Sequence, residues 1–94
     1  MRDAVFANLG PATVIIKCAA VADFRPANPP DHKIKKTGAP VTLELEPTSD
    51  ILAELGEKRG NRLLVGFAAE THNLREYAVR KLEGKKCDMV VANL

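Results

Sequence analysis

The sequence predicts an α/β fold, a parallel sheet with flanking helices. Two observations carry this. Three runs of aliphatic and β-branched residues, 13–21, 63–69 and 88–92, lack polar alternation, as strands of a covered parallel sheet do. Segments of helical periodicity lie between and before them, which is the pattern of strand, crossover helix and next parallel strand. Trp is absent and aromatics are 4% of the chain, so Leu, Val, Ile and Ala must fill the core.

The chain has 94 residues, enough for one small domain that buries about 60–65% of its unfolded surface. Fourteen Lys and Arg against twelve Asp and Glu give a net charge of +2. That balance excludes a disordered polyelectrolyte and gives no reason to expect a nucleic-acid partner. The longest apolar run, 63–69, falls far short of the ~20 residues of a membrane helix. Arg2 and Asp3 open the chain with no apolar stretch behind them, so no secretory leader and a cytoplasmic location are expected. Cys18 and Cys87 are too few for a disulfide scaffold or a four-ligand zinc site, and their apolar contexts predict buried free thiols.

In order along the chain, residues 2–9 can form a short helix with Val5, Phe6 and Leu9 on one face, stopped by Gly10 and Pro11. Residues 13–21 read as a strand covered on both faces, with Lys17 as an irregularity that marks an edge or a stem running out to solvent. Residues 23–40 carry Pro26, Pro29, Pro30, Pro40 and Gly38, which predict an irregular flap or interface loop without strand pairing. Val41, Leu43 and Leu45 alternate with Thr42, Glu44 and Glu46, the mark of a half-exposed edge strand that Pro47 ends. Thr48 or Ser49 then caps a helix reaching about Arg59, with Asp50 in its first turn and Ile51, Leu52 and Leu55 buried. After the strand at 63–69, a helix carries Leu74, Tyr77, Ala78, Lys81 and Leu82 on its inner stripe. Gly84 closes it, and residues 88–92 form a third buried strand. The first helix has no strand before it and the last strand no helix after it, so one edge or face of the sheet is expected to be incompletely covered.

Ligands of open α/β sheets bind beyond the carboxyl ends of the strands. Those ends here are Ala19-Ala20-Val21-Ala22-Asp23, Gly66-Phe67-Ala68-Ala69-Glu70-Thr71 and Val91-Ala92-Asn93. Alanines either let a ligand approach the backbone or pack against a crossing helix. Asp23 either accepts hydrogen bonds from a ribose or base amine or starts a turn, and Glu70 fits a helix entry better than a site. Lys33, Lys35 and Lys36 form a basic run that is either solvated or closes over a phosphate chain. Lys81 and Lys85 are four apart, so they share a helix face and snorkel or clamp an anion at the sheet end. The helix start at Ser49-Asp50-Ile51-Leu52 offers free N–H groups, although Asp50 favours a hydroxyl or base edge over a bare phosphate. No Gly-rich phosphate loop is present, and His32 and His72 lack metal-ligand spacing.

Taken together and in register, Ala19 to Pro26, Lys33-Ile34-Lys35-Lys36, Pro47 to Leu52, Gly66 to Thr71, Lys81, Lys85 and Val91-Ala92-Asn93 closely resemble the synthetase domain of the bacterial phosphopantothenoylcysteine synthetase family. The resemblance spans the whole chain. It implies a Rossmann-like domain, here a partial synthetase (CTP-binding) domain over residues 1–94 with the flap at 23–40. It also implies a ligation in which 4′-phosphopantothenate attacks the α-phosphate of CTP in the presence of Mg²⁺. An acyl-cytidylate forms, pyrophosphate leaves, and the amine of cysteine displaces CMP. By the same resemblance Lys33 is the functional lysine of the flap. Ala19, Asp23, Ser49, Asp50, Ile51, Leu52, Phe67, Lys81 and Lys85 are nucleotide contacts, Phe67 as an aromatic wall. Family members form homodimers and are fused to a decarboxylase domain, the only place where FMN belongs.

Two departures qualify the match. The family's opening phosphate segment and closing strand and helix have no counterpart here, so the chain reads as a central fragment that neither binds CTP tightly nor ligates alone. Lys17 stands where family strands usually carry a small or uncharged residue. The rival expectation is a non-catalytic Rossmann-like fragment that dimerises through the long loop and the 41–46 strand.

Overall fold

The computed structural model describes residues 1–94. In chain order the elements are α1 (Arg2–Ala7), β1 (Val14–Lys17), β2 (Phe24–Pro26), β3 (Leu45–Pro47), α2 (Ile51–Lys58), β4 (Leu63–Ala69), α3 (Leu74–Gly84) and β5 (Met89–Asn93). They form two compact units, one made of Met1–Ala19 with Asp50–Leu94, the other of Ala20–Ser49.

The larger unit is the predicted α/β sheet. Its three strands lie in the order β1-β4-β5, all parallel, with Ile15 beside Leu64 and Gly66 beside Val90. Ile51, Leu52 and Leu55 of α2 meet Leu64 of the central strand, and Val5, Phe6, Leu9, Ile15 and Cys87 pack around them. Leu55 and Leu64 are fully buried, which stabilises the unit by about 1.5–3 kcal/mol each. Two glycines set how closely the layers approach. A Cβ at Gly66 would stand 3.0 Å from Leu52 Cδ2, so the strand is bare where α2 crosses it. A Cβ at Gly56 would collide with the Lys85 carbonyl at the end of α3.

Arginines and carboxylates secure the helix and strand ends. Arg2 grips Glu54 through three hydrogen bonds of 2.7–3.0 Å, tying α1 to α2. The Arg62 guanidinium donates to the carbonyls of Leu9, Gly10 and Ala12, fastening the turn before β1. Asp88 accepts from Arg59 and from the Leu64 backbone N–H, fixing the entry to β5.

The inner stripe of α3 is as predicted, for Leu74, Tyr77, Ala78, Lys81 and Leu82 are all half-buried. The coverage of the sheet differs from expectation. Residues of α1 and α2 pack with Ile15, Leu64 and Cys87 on one face, and in β5 the more covered side chains, Val90 and Ala92, belong to that same face. Successive right-handed crossovers that advance in one direction across a sheet all fall on one side. The other face is open, so β1 and β5 alternate between half-buried and exposed residues instead of being covered twice. β1 also ends at Lys17 rather than reaching Val21.

The smaller unit corrects the reading of the proline-rich segment. Phe24–Pro26 is a strand, paired antiparallel with Leu45–Pro47, and the 41–46 alternation contributes only its end to β3. Prolines are tolerated because of register. Thr48 N–H donates to the Asp23 carbonyl and Ala27 N–H to the Glu44 carbonyl, so 23/48, 25/46 and 27/44 are the hydrogen-bonded pairs. Pro26 and Pro47 occupy the alternate positions, whose nitrogens point away from the partner and need no proton. Arg25 Nε and Glu46 Oε1 pair across the ribbon at 2.7 Å.

The thiols also differ from expectation. Cys18 is exposed just past the end of β1, and Cys87 is half-buried against the core, where burial pushes its thiol pKa up. Both are free, and no helix is long and apolar enough to cross a membrane.

Candidate nucleotide site at the strand ends

The carboxyl ends of β1, β4 and β5 collect most of the predicted contacts of the larger unit. Asp50 is central. It is the N-cap of α2, a role the sequence reading gave to Thr48 or Ser49, and its Oδ1 accepts from the Ala53 N–H at 3.0 Å. Thr48 is otherwise engaged, its hydroxyl donating to the Ala22 carbonyl at 2.6 Å. The second oxygen of Asp50 pairs with the Lys85 ammonium from α3. Partial burial pushes the Asp50 carboxyl pKa up. The Lys85 and Ala53 hydrogen bonds, with the charges of Lys85 and Lys17, outweigh that and hold it below the ordinary carboxylate range.

Three lysines thus converge on backbone or carboxylate oxygen at this edge. Lys17 Nζ donates to the Ala19 carbonyl at 2.9 Å, and Lys81 Nζ to the Phe67 carbonyl at 2.6 Å. Lys81 and Lys85 share an open groove of about 420 Å³ with Glu70, Tyr77, Arg80 and Gly84. Arg80 is turned to Glu76 at 3.1 Å.

The predicted residues divide into three groups. Asp50, Lys81 and Lys85 are brought together around the start of α2 and the end of β4. Ile51 and Leu52 send their side chains into the core, so only their backbone N–H groups face the helix start. Phe67 is half-buried, beside Val91 on the sheet face that carries no helix, and reaches the groove through its carbonyl. Ala19 is exposed and held by Lys17. Asp23, Lys33 and Ser49 belong to the smaller unit, where all three are exposed and Lys33 lies in the irregular segment between β2 and β3.

Lys17 also lies at this edge, a residue to which sequence reasoning gave no site role. Its signal was present, a charge at the end of an apolar run, but spacing could not tell an edge position from a strand end beside a carboxylate. Arg80 and Tyr77 were passed over for the same reason, since only the packing of α3 shows which helical positions border the groove.

Over residues 1–94 the chain matches the family model of the DNA/pantothenate metabolism flavoprotein C-terminal domain. It belongs to that family. Among relatives, it is 52% identical over 93 residues to the coenzyme A biosynthesis bifunctional protein CoaBC of Bacillus subtilis, covering 99% of this chain and 23% of that one. It is 44% identical over 94 residues to a cysteine/cysteine sulfinic acid decarboxylase of an unidentified prokaryote, covering 99% of this chain and 26% of that protein. A crystal structure of the C-terminal domain of a CoaBC superposes with a TM-score of 0.80 at 44% identity, covering 98% of this chain and 41% of that one. This flavoprotein C-terminal domain chain therefore spans about a quarter of the curated relatives and under half of the solved domain.

Proposed function

We propose that the chain is the central part of a CTP-dependent phosphopantothenate–cysteine ligase and carries its nucleotide-contacting strand ends. The observation that supports this best is the gathering of Asp50, Lys81 and Lys85 at the carboxyl edge of the sheet, in a member of the flavoprotein C-terminal domain family. In this reading Lys81 and Lys85 offset charge on the triphosphate, and the first N–H groups of α2 and the Asp50 carboxylate meet hydroxyl or base edges. Lys85 exchanges Asp50 for a phosphate oxygen as the nucleotide enters. Asp23, Ser49 and Ala19 contribute further nucleotide contacts, and Phe67 contributes through its backbone carbonyl, the acceptor of Lys81. Lys33 acts on the α-phosphate as the carboxylate of 4′-phosphopantothenate attacks and pyrophosphate leaves. The amine of cysteine then displaces CMP. No three His, Cys, Asp or Glu side chains gather in the chain, so it offers no cage for Mg²⁺, whose coordination would come from the triphosphate and water. The protein works in the cytoplasm as a homodimer, fused to a decarboxylase that holds the FMN.

Two measurements test the reading. Lys33→Gln, placed in a full-length ligase carrying this segment, is expected to lower acyl-cytidylate formation by about 10²–10³-fold, as loss of a charge-stabilising donor does. Unchanged formation removes Lys33 from the mechanism. The 94-residue chain alone is expected to release no pyrophosphate from CTP with both co-substrates, and turnover by it would contradict the division of the site assumed here.

A non-catalytic dimerisation role is favoured by one observation, the exposed apolar side chains Ile34, Val41, Leu43 and Leu45 of the smaller unit. Sedimentation of the chain as a dimer that Leu43→Asp dissolves, together with no effect of Lys33→Gln on ligation, would support it over the catalytic reading.

A further inference from the structure

β1 leaves the ladder at Lys17, whereas β4 continues to Ala69 beside Asn93. Residues 18–20 therefore belong to no strand, and the Ala19 carbonyl accepts from no backbone N–H. What holds it is the side chain two residues back, for Lys17 Nζ donates to it at 2.9 Å. The placement follows from the ladder. Lys17 shares the helix-covered face with Ile15, and its neighbour across the ladder is Gly66, over which Leu52 of α2 crosses. The lysine is half-buried there, its stem against the covered face and its ammonium turned to the strand end. Its charge is felt at the cap of α2. Burial raises the Asp50 carboxyl pKa, and Lys17 is one of the groups that bring it below the ordinary carboxylate range. Lys85 is paired with Asp50, whereas Lys17 bonds only a neutral carbonyl, so its charge stays available to the site.

We infer that Lys17 is a positioning residue of the nucleotide edge, which fixes the Ala19 backbone through its carbonyl and supplies a positive charge beside Asp50 without touching the reacting atoms. The inference rests on the ligase reading above, in which Ala19 and Asp50 meet the nucleotide. A strand end ordered before the ligand arrives costs less to order on binding, so the effect falls on nucleotide affinity rather than on the chemical step.

Steady-state ligation by a full-length ligase carrying this segment, with CTP and cysteine varied in turn, tests it. Lys17→Met keeps the stem and removes both charge and donor. It is expected to raise the KM for CTP about tenfold, the worth of one charge-assisted hydrogen bond, with kcat and the KM for cysteine within about twofold of the parent. Lys17→Arg, which keeps charge and donor, should lie closer to the parent than Lys17→Gln, which keeps a donor alone. These two variants also decide the matter where the methionine variant fails to fold. An unchanged CTP KM in Lys17→Met, with or without a lower Tm, makes the lysine a structural residue and overturns the proposal. An equal rise in both KM values marks general damage and overturns it too, as does a glutamine variant nearer the parent than the arginine one. Absence of CTP turnover in the parent enzyme is a different failure, which overturns the ligase reading and this inference with it.

Discussion

The two units are held together by different physics. The larger one buries Ile51, Leu52, Leu55, Leu64, Val65 and Ala68 between helices and sheet. The smaller one buries no residue at all and depends on a three-residue ladder, flanking backbone bonds and the Arg25–Glu46 pair. A two-stranded ribbon without a hydrophobic face is marginal in water, and an exposed ion pair adds about 0–1 kcal/mol. The lesson is a division of labour. The strand-end charges stand on a unit with a buried core, whereas Lys33 stands on backbone with few tertiary contacts to oppose local opening.

Truncation tests the contrast most severely. Leu55→Ala should cost about 2–5 kcal/mol in denaturant unfolding, since the site is fully enclosed. Leu43→Ala, on an exposed side chain, should fall within about 0.5 kcal/mol. Equal losses would mean that the smaller unit is as well packed as the larger.

A subtler break is Gly56→Ala. Helix propensity alone favours it by about 1 kcal/mol, but the added methyl meets the Lys85 carbonyl, and overpacking of this kind costs about 1–3 kcal/mol. A net loss of Tm is expected, and a gain would show that α2 and the end of α3 separate freely.

The smallest effect concerns Asp50. Asp50→Ala should cost about 0.5–2 kcal/mol through the lost cap. Asp50→Asn keeps a cap acceptor and isolates the charge. Because the folded carboxyl pKa is depressed, its contribution is complete above the unfolded value of about 3.9 and lost as pH falls through the folded value. The stability advantage of the parent over the Asp50→Asn variant should therefore vanish on acidification below about pH 4. An advantage independent of pH would assign the effect to the cap alone. Hydrogen exchange completes the comparison, with Ala27 and Thr48 N–H groups exchanging faster than that of Leu64.

Much of this was legible in order and type. The stripe Leu74, Tyr77, Ala78, Lys81, Leu82 told the buried side of α3 because helical geometry is local, and the 63–69 run told the central strand. Sequence also paired Lys81 with Lys85 at one end of α3. It misread residues 23–26 because proline content was taken to forbid pairing, when only alternate ladder positions need a donor. It gave the cap of α2 to Thr48 or Ser49 because several acceptors in a row are equivalent until backbone direction selects one.

What the sequence determined alone was therefore the elements of the larger unit, their order, their parallel sense and the family motifs, since these follow from periodicity, turn chemistry and short-range spacing. Tertiary structure alone decided which face of the sheet the helices take, that Lys17 ends at the Ala19 carbonyl, and that Asp50 both caps α2 and holds Lys85. Those contacts join residues up to 35 positions apart, and their energies depend on packing and local charge that no window of sequence contains.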